Sequence, residues 1–330
     1  MAPHPQNLSV SRRSWPLAQP FAISRGSRTT ADVVLAEIYD GQYRGRGECV
    51  PYPRYGESVD SVVKTLEEMK RAVFSGLDRA ELQAAMPPGA ARNALDAAFW
   101  DLDAKRNFVR VSELAGLPPP HPVTTAYTLS LDTPERMGAA AAAQSARPLL
   151  KLKLTGDGDI ERVEAVRRNA PASRLIVDAN EGWTPRHFAE LSPILAELGV
   201  ELIEQPLPAG GDDALAELPH PIPVCADESC HVAVDLDRLV GKYEAVNIKL
   251  DKTGGLTEAL SLAAAARERG FKIMVGCMIG TSLAMAPAML VAQQASVVDL
   301  DAPLLLAMDR ANGLRYDGSL VHPPEAGLWG

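Results

Sequence analysis

A chain of 330 residues, 46% hydrophobic and 23% charged, has the make-up of an ordinary globular protein, with room for an eight-stranded barrel of about 250 residues and a smaller domain. A net charge of −9, a pI near 5.3 and the lack of any lysine or arginine run argue against a nucleic-acid surface. Met1–Leu8 is polar and unlike a signal peptide, and the most apolar helical stretch, Ser282–Ala295, is too short and too interrupted to cross a bilayer, so a cytoplasmic protein without a membrane partner is expected.

In chain order, residues up to about Leu8 read as disordered. Ser9–Phe21 and Asp32–Asp40 read as strands, and Gly41 turns the chain into a third, Gly45–Cys49. Between the first two, Arg25-Gly26-Ser27-Arg28 forms a loop with two guanidiniums. Such a loop serves either as a solvated hairpin tip or as a clamp for an anionic substrate group, since the arginine fork fits a carboxylate. Gly47–Ser58 is a second loop, stiffened by proline and aromatic at Tyr52 and Tyr55. Helical spacing follows over Ser58–Ser75, Asp78–Ala85 and Gly89–Ala104, where Ala94, Leu95, Ala98, Phe99 and Leu102 form one apolar stripe that reads as core. Residues 1–118 are therefore expected to form an α+β capping domain whose two loops are candidate lids, with a boundary at Pro118–Pro122.

From Val123 the pattern alternates. Strand candidates fall at 123–130, 149–154, 174–179, 200–205, 222–227, 245–250, 271–276 and 296–300, with helix-spaced stretches between them. The expected fold class is α/β: a (β/α)8 barrel over 119–312, followed by a segment, 313–330, that returns to the capping domain. No Gly-x-Gly-x-x-Gly follows a strand and no Gly-Lys-Ser/Thr loop occurs, so dinucleotide and P-loop readings have no support. Cys49, Cys225, Cys230 and Cys277 contain no Cys-x-x-Cys pair and read as free thiols in a reducing compartment.

Five of these segments end on a charge: Lys153, Asp178, Glu204, Asp227 and Lys249, at intervals of 25, 26, 23 and 22 residues. That period suits one strand, one crossover helix and two short loops, and in a barrel such strand tips converge on one mouth. Each acid alone would be an ordinary solvated loop charge, but five in phase are not. Three carboxylates together need a cation, and oxygen ligands without His or Cys suit Mg2+ or Mn2+. Lys151 and Lys153 stand two apart on one strand and so share a face, with Lys249 across the barrel. Two amines flanking a metal-held substrate suit removal of a proton next to a carboxylate, because the cation stabilises the enediolate. Lysine must lose its proton well below its usual pKa near 10.4 for this, and neighbouring cations, Lys151 and the metal, would lower that of Lys153.

The Lys-x-Lys pair, Asp178, Glu204, the Ala226-Asp227-Glu228-Ser229 segment and Asn247-Ile248-Lys249-Leu250-Asp251-Lys252-Thr253-Gly254-Gly255 together resemble the enolase superfamily, in its muconate-lactonizing-enzyme subgroup. The likeness covers nearly the whole chain, including Gly47-Glu48-Cys49-Val50-Pro51-Tyr52-Pro53-Arg54-Tyr55-Gly56-Glu57-Ser58. More narrowly the chain resembles the dipeptide epimerases, in particular those acting on L-Ala-D/L-Glu, which are marked by an Asp-x-Asp after the eighth strand, here Asp299-Leu300-Asp301.

The resemblance implies Mg2+ on Asp178, Glu204 and Asp227, acid/base roles for Lys153 and Lys249, electrostatic help from Lys151, and binding of a dipeptide's ammonium by Asp299 and Asp301. Thr128 and Cys277 fall at pocket-lining positions. Arg25 best matches the loop arginine that pairs with a glutamate side chain, with Arg28 a near rival. Asp251 replaces an apolar residue of some relatives with no evident consequence. The implied role is murein peptide recycling on a small-molecule dipeptide, and a homo-oligomer is compatible with the sequence. N-acylamino-acid racemisation, o-succinylbenzoate synthesis and cycloisomerisation are the alternatives within the subgroup. A catalytically silent barrel kept for binding would have lost one of the five charged positions, and all five are present.

Overall fold

The computed structural model describes residues 6–330. Of the stretch expected to be disordered, Met1–Pro5 lies outside the described residues, whereas Asn7 and Leu8 already belong to the first strand. The reason is apolar: Leu8 is buried in a cluster with Val34, Ile38 and Leu66.

Strands β1 (Asn7–Ile23), β2 (Gly26–Asp40) and β3 (Tyr43–Cys49) make an antiparallel sheet. Both arms of the first hairpin are longer than the sequence suggests, because pairing continues to Ile23–Gly26 after a register shift between Pro16 and Phe21. Proline has no N–H for the ladder, which accounts for an irregularity in that stretch. Arg25 thus occupies the hairpin turn, and Arg28 sits on β2 opposite Phe21. Helices α1 (Val59–Phe74) and α2 (Arg79–Ala85) begin at Ser58 and Asp78, whose side chains accept from the N–H of Ser61 and Glu81. Helix α3 (Ala90–Asn107) is almost wholly buried under the sheet. Its close seat requires glycine: a Cβ at Gly47 would stand 2.0 Å from the carbonyl oxygen of Ala94, and one at Gly45 2.1 Å from that of Ala98.

The short strand β4 (Val123–Thr124) is not part of the barrel, contrary to expectation. It pairs with the hairpin β13 (Tyr316–Asp317) and β14 (Leu320–Val321) in a small antiparallel sheet of its own. The barrel is built from β5 (Tyr127–Leu129), β6 (Leu149–Lys153), β7 (Arg174–Asp178), β8 (Val200–Glu204), β9 (Val224–Ala226), β10 (Ala245–Ile248), β11 (Lys272–Val275) and β12 (Val297–Val298). Neighbours pair in parallel and in chain order, and the N–H of Ala126 donates to the carbonyl of Val298 at 2.8 Å, joining the last strand to the first. Crossovers β8–β9 and β9–β10 carry only the 3-10 turns Asp213–Ala216 and Ala233–Arg238 instead of the expected helices. In the first of these, Pro206, Pro208, Gly210, Gly211, Pro219, Pro221 and Pro223 leave no stretch able to sustain a helix. Helix Ser282–Ala292 is buried at every residue, and among the described residues no helix is long and apolar enough to cross a membrane.

Buried polar contacts fix the cap on the barrel. Asp251, for which the sequence offered no role, accepts hydrogen bonds from Val50 N at 3.0 Å and Asn93 Nδ2 at 2.8 Å. Glu48 accepts from Thr281 and pairs with Arg310, and Arg92 donates to the carbonyls of Thr253 and Gly254. The C-terminal residues close over α3, Trp329 Nε1 donating to Ala97 O and Gly330 N to Asp101.

Burial pushes the Asp251 carboxyl up to about 7. A carboxyl raised in the fold is protonated there while the unfolded chain has already ionised, so its contribution to stability falls as pH rises from about 4 to 7. Asp251→Asn keeps the accepting oxygen and removes the charge. The variant is expected to gain on the order of 1 kcal/mol over the parent at pH 8 and nothing at pH 4. Urea unfolding at the two pH values measures this, and an equal difference at both would exclude it.

Candidate active site

Seven residues fill the lower interior of the barrel, one from each successive strand or its entry: Ala126, Leu149, Ile176, Leu202, Cys225, Ala245 and Met274. Side chains of a strand alternate between faces, so the residue two positions on points into the same interior one layer higher. Those residues are Thr128, Lys151, Asp178, Glu204, Asp227, Asn247 and Gly276, and a further step of two reaches Lys153 and Lys249. The sequence therefore builds an apolar floor and a charged layer directly above it.

All of that layer is buried. Lys153 Nζ donates to Asp178 Oδ2 at 2.6 Å, and Lys249 Nζ to Asp227 Oδ2 at 2.6 Å. Lys151 Nζ lies 2.6 Å from Glu204, 2.8 Å from Asp299 and 3.3 Å from Asp178. Burial alone would raise the Asp178 carboxyl, but Lys153 and Lys151 outweigh it and hold its pKa at about 2. In the same way burial opposes, and Lys249 and Lys252 overcome, so that Asp227 stays well below the carboxylate range. For the amines the balance is mirrored: burial disfavours the ammonium of Lys249, yet Asp227 and Glu204 keep its pKa above the ordinary value. Burial and the charge of Asp178 raise Glu204.

The expected cage of converging ligands is not ready-made. Among the described residues no three carboxylate, imidazole or thiol groups stand together as a metal site, because ammonium groups lie among the acids. The donors nevertheless fit a hard divalent cation: three carboxylates come from adjacent strand tips, and Glu204 Oε2 has no hydrogen-bond partner among the described residues, its contact with Lys151 being out of line. Asn247 Nδ2 donates to Glu204 Oε1 at 2.7 Å and holds that carboxylate in place.

Above the charges lies a cavity of about 440 Å³ lined by Lys151, Lys153, Lys249, Thr128, Cys277, Asp299, Asp301, Arg25 and Arg28. All the residues singled out in the sequence thus border it or, in Asp178 and Glu204, lie beneath it. Thr128 N donates to Asp301 at 2.6 Å, and burial together with the charge of Asp299 pushes Asp301 up to about 7. The two lid arginines differ. Arg25 donates to Asn180 O, Tyr52 and Glu228 and reaches Glu181 at 3.2 Å. Arg28 lies 5.8 Å from the centre of the Tyr52 ring and has no carboxylate partner among the described residues.

Several residues here escaped sequence reasoning. Lys252, fully buried, donates to Asp227 Oδ1, Asp227 O and Asn247 O. Gln205, at φ +34°, accepts from the N–H of Asp227 and Ser229 and so sets the turn that aims Asp227. Glu181 receives Arg54 through two bonds of 2.7 Å and, with Asn180, holds a left-handed backbone that non-glycine residues rarely adopt. The only sequence signal for these was proximity to the strand tips.

The sequence and fold have clear relatives. Residues 6–116 match the mandelate racemase/muconate lactonizing enzyme N-terminal domain, and residues 136–328 the enolase C-terminal domain-like family. The chain is 47% identical to the L-Ala-D/L-Glu epimerase of Escherichia coli over 96% of its own length and 99% of that protein. It is also 47% identical to the N-acetyl-D-glutamate racemase of a Pseudoalteromonas species, over 90% and 95%. An enolase family member from Agrobacterium tumefaciens with homology to dipeptide epimerases, solved with sodium and L-Ala-L-Glu, superimposes with a TM-score of 0.97 at 54% identity, over 99% and 100% of the chains. A dipeptide epimerase from Enterococcus faecalis, solved with Mg and L-Leu-L-Tyr, gives 0.90 at 29%, over 98% of each.

Removing Lys252 leaves Asp227 with one cation fewer and takes one donor from each of the carbonyls of Asp227 and Asn247. Lys252→Met is expected to destabilise the fold by roughly 3 kcal/mol, the cost of breaking a buried ion pair. Urea denaturation reads this directly, and a loss below about 1 kcal/mol would contradict the assignment.

Proposed function

The chain belongs to the mandelate racemase/muconate lactonizing enzyme branch of the enolase superfamily, and we propose that it is a dipeptide epimerase that inverts the α-carbon of the second residue of Ala-Glu. The observation that carries this reading is the opposed pair Lys153 and Lys249, on the tips of β6 and β10, facing one cavity with Asp178, Glu204 and Asp227 between them. Inversion needs a base on one face of the α-carbon and an acid on the other, and two amines in one cavity provide both. When Lys153 takes the proton, Lys249 returns one from the opposite side, and the reverse reaction exchanges their roles.

Neither amine is free as it stands, for each is bonded to a carboxylate at 2.6 Å. Asp178, Glu204 and Asp227 would hold Mg2+, or Mn2+ in its place, which supplies positive charge against the negative charge that develops on the substrate carboxylate. To reach the substrate, Lys153 and Lys249 would turn from Asp178 and Asp227 toward the cavity. Lys151, bonded to Asp299, adds a positive field beside Lys153.

Asp299 and Asp301 supply anionic partners for the free ammonium of a dipeptide, and Thr128 orients both, through its N–H to Asp301 and its hydroxyl to Asp299 at 3.4 Å. For the glutamate side chain we favour Arg28. Arg25 has its fork occupied by Glu228, Tyr52 and Asn180, so it straps the hairpin tip over the mouth, whereas Arg28 has no carboxylate to give up. A second reading, racemisation of an N-acylated glutamate, is favoured by the equally similar Pseudoalteromonas racemase. It shares the glutamate side chain and leaves the Asp299 and Asp301 pair without an ammonium. A cytoplasmic place in the recycling of murein peptides accords with Ala-Glu as substrate.

With Mg2+ in deuterated water, Ala-Glu is expected to exchange its glutamate α-proton, and N-acetylglutamate to exchange at least tenfold more slowly. Lys153→Ala and Lys249→Ala should each lose epimerisation by about 10³-fold or more while one of the two substrate epimers still exchanges. Absence of exchange in the parent protein sinks the activity, and full activity in either variant sinks the two-amine assignment.

The lid assignment has its own readout. Arg28→Gln is expected to raise KM for Ala-Glu about tenfold and leave Ala-Leu within twofold, since a desolvated arginine–carboxylate pair contributes on the order of 1.4 kcal/mol. Arg25→Gln should weaken both dipeptides alike. The reverse pattern would return the glutamate to Arg25.

A further inference from the structure

Lys151 is the only amine of the charged layer that touches carboxylates of two different groups. On one side are Glu204 at 2.6 Å and Asp178 at 3.3 Å, both assigned to the cation; on the other is Asp299 at 2.8 Å, assigned to the substrate ammonium. Its side chain is 1% exposed, so solvent screens its charge little. Asp299 is similarly confined. Its side chain is 6% exposed, and its partners are Lys151 and the more distant Thr128 hydroxyl. Asp301, two residues on, is bonded instead to the Thr128 N–H and makes no contact with Lys151.

A divalent cation entering among Asp178, Glu204 and Asp227 meets a competitor, because Lys151 already neutralises two of those carboxylates. Two cations cannot share them at this distance: at 4 Å the repulsion between a dication and an ammonium is on the order of 8 kcal/mol even at an effective dielectric constant of 20. Lys151 must yield, and within a buried site it can yield only toward another anion. Asp299 is that anion, and it already holds one of the ammonium's hydrogen bonds.

We propose that Asp299 is a positioning residue for the metal site: it draws Lys151 away from Glu204 and Asp178 and so permits the divalent cation to bind, a task separate from contact with the substrate. The consequence is that the ammonium pocket and the cation site, which occupy different strands, are joined through one lysine. This deepens the functional reading above and rests on its assignment of the cation to Asp178, Glu204 and Asp227.

The test is made without substrate, by titrating Mg2+, and Mn2+ in parallel, into the full chain in a calorimeter at pH 8, above the value of about 7 to which Asp301 is raised. Asp299→Asn is expected to weaken cation binding at least tenfold and Asp301→Asn by less than threefold. Lys151→Met should bind the cation more tightly than the parent, since the competitor is gone, and adding Asp299→Asn to it should then change binding by less than threefold. Lys151→Gln serves for the same cycle if the methionine variant does not fold, and thermal unfolding of each variant verifies the fold. Equal weakening by the two aspartate variants would reduce Asp299 to one charge among several and overturn the proposal. So would an Asp299→Asn effect that persists without Lys151. If the parent protein takes up neither ion, the cation assignment fails and the proposal with it; if the parent binds and Asp299→Asn binds equally well, the proposal alone fails.

Discussion

The barrel mouth depends on one constraint: charges buried together must alternate in sign. Taking a single ion out of water without a partner costs several kcal/mol, and Asp178, Glu204 and Asp227 are all essentially inaccessible. Lys151, Lys153, Lys249 and Lys252 answer them, each within hydrogen-bond reach of a carboxylate. The arrangement has a chemical consequence beyond stability. Lys153 and Lys249, the amines proposed as proton carriers, are bonded at 2.6 Å to Asp178 and Asp227, two of the acids proposed to receive a cation. Without Lys153 and Lys249 in reach, those three acids would share only Lys151 and Lys252 as buried cationic partners.

The backbone bears part of the cost of this arrangement. Asn180, Glu181 and Gln205 follow directly on the tips of β7 and β8 and take positive φ values of 45°, 66° and 34°. Left-handed conformations cost a residue with a side chain roughly 1–2 kcal/mol. In exchange, Asn180 N reaches Asp178 Oδ1, Gln205 fixes the N–H of Asp227, and Glu181 presents a carboxylate to Arg54 of the cap. The strained turns are therefore where the barrel both aims its buried carboxylates and fastens its cap.

The cap is bound to the barrel by carboxylates as well. Glu48 meets Arg310 and Thr281, Asp96 meets Thr257, and Asp251 meets Val50 and Asn93, all buried or nearly so. Polar pegs of this kind fix orientation as an apolar surface alone does not, and orientation matters because the hairpin turn at Arg25 and the Tyr52–Tyr55 segment form the roof of the cavity. On the proposed reading, specificity for a second residue lies with that roof and proton transfer with the charged layer below it.

The periodic series from Lys153 to Lys249 was legible in the sequence because strand length, crossover length and two-residue alternation are local properties, and they suffice to bring five charges to one mouth and to place Lys151 beside Lys153. The same local rules placed the starts of α1 and α2 near Ser58 and Asp78. They failed where distant chain decides: Val123–Thr124 reads as the start of a barrel strand but pairs with Leu320–Val321, and the crossovers flanking β9 read as helical although prolines and glycines break the first and each carries only a 3-10 turn. Lys252, Gln205 and Asp251 gave no sign of their roles, because each acts on a residue that its own segment does not contain. Sequence by itself determined which charges meet, since that follows from period and pairing. Tertiary structure alone decided how those charges are shared, which arginine is already engaged and which anion Lys151 leans on, because in a buried site the partner is chosen by distance and dielectric and not by order along the chain.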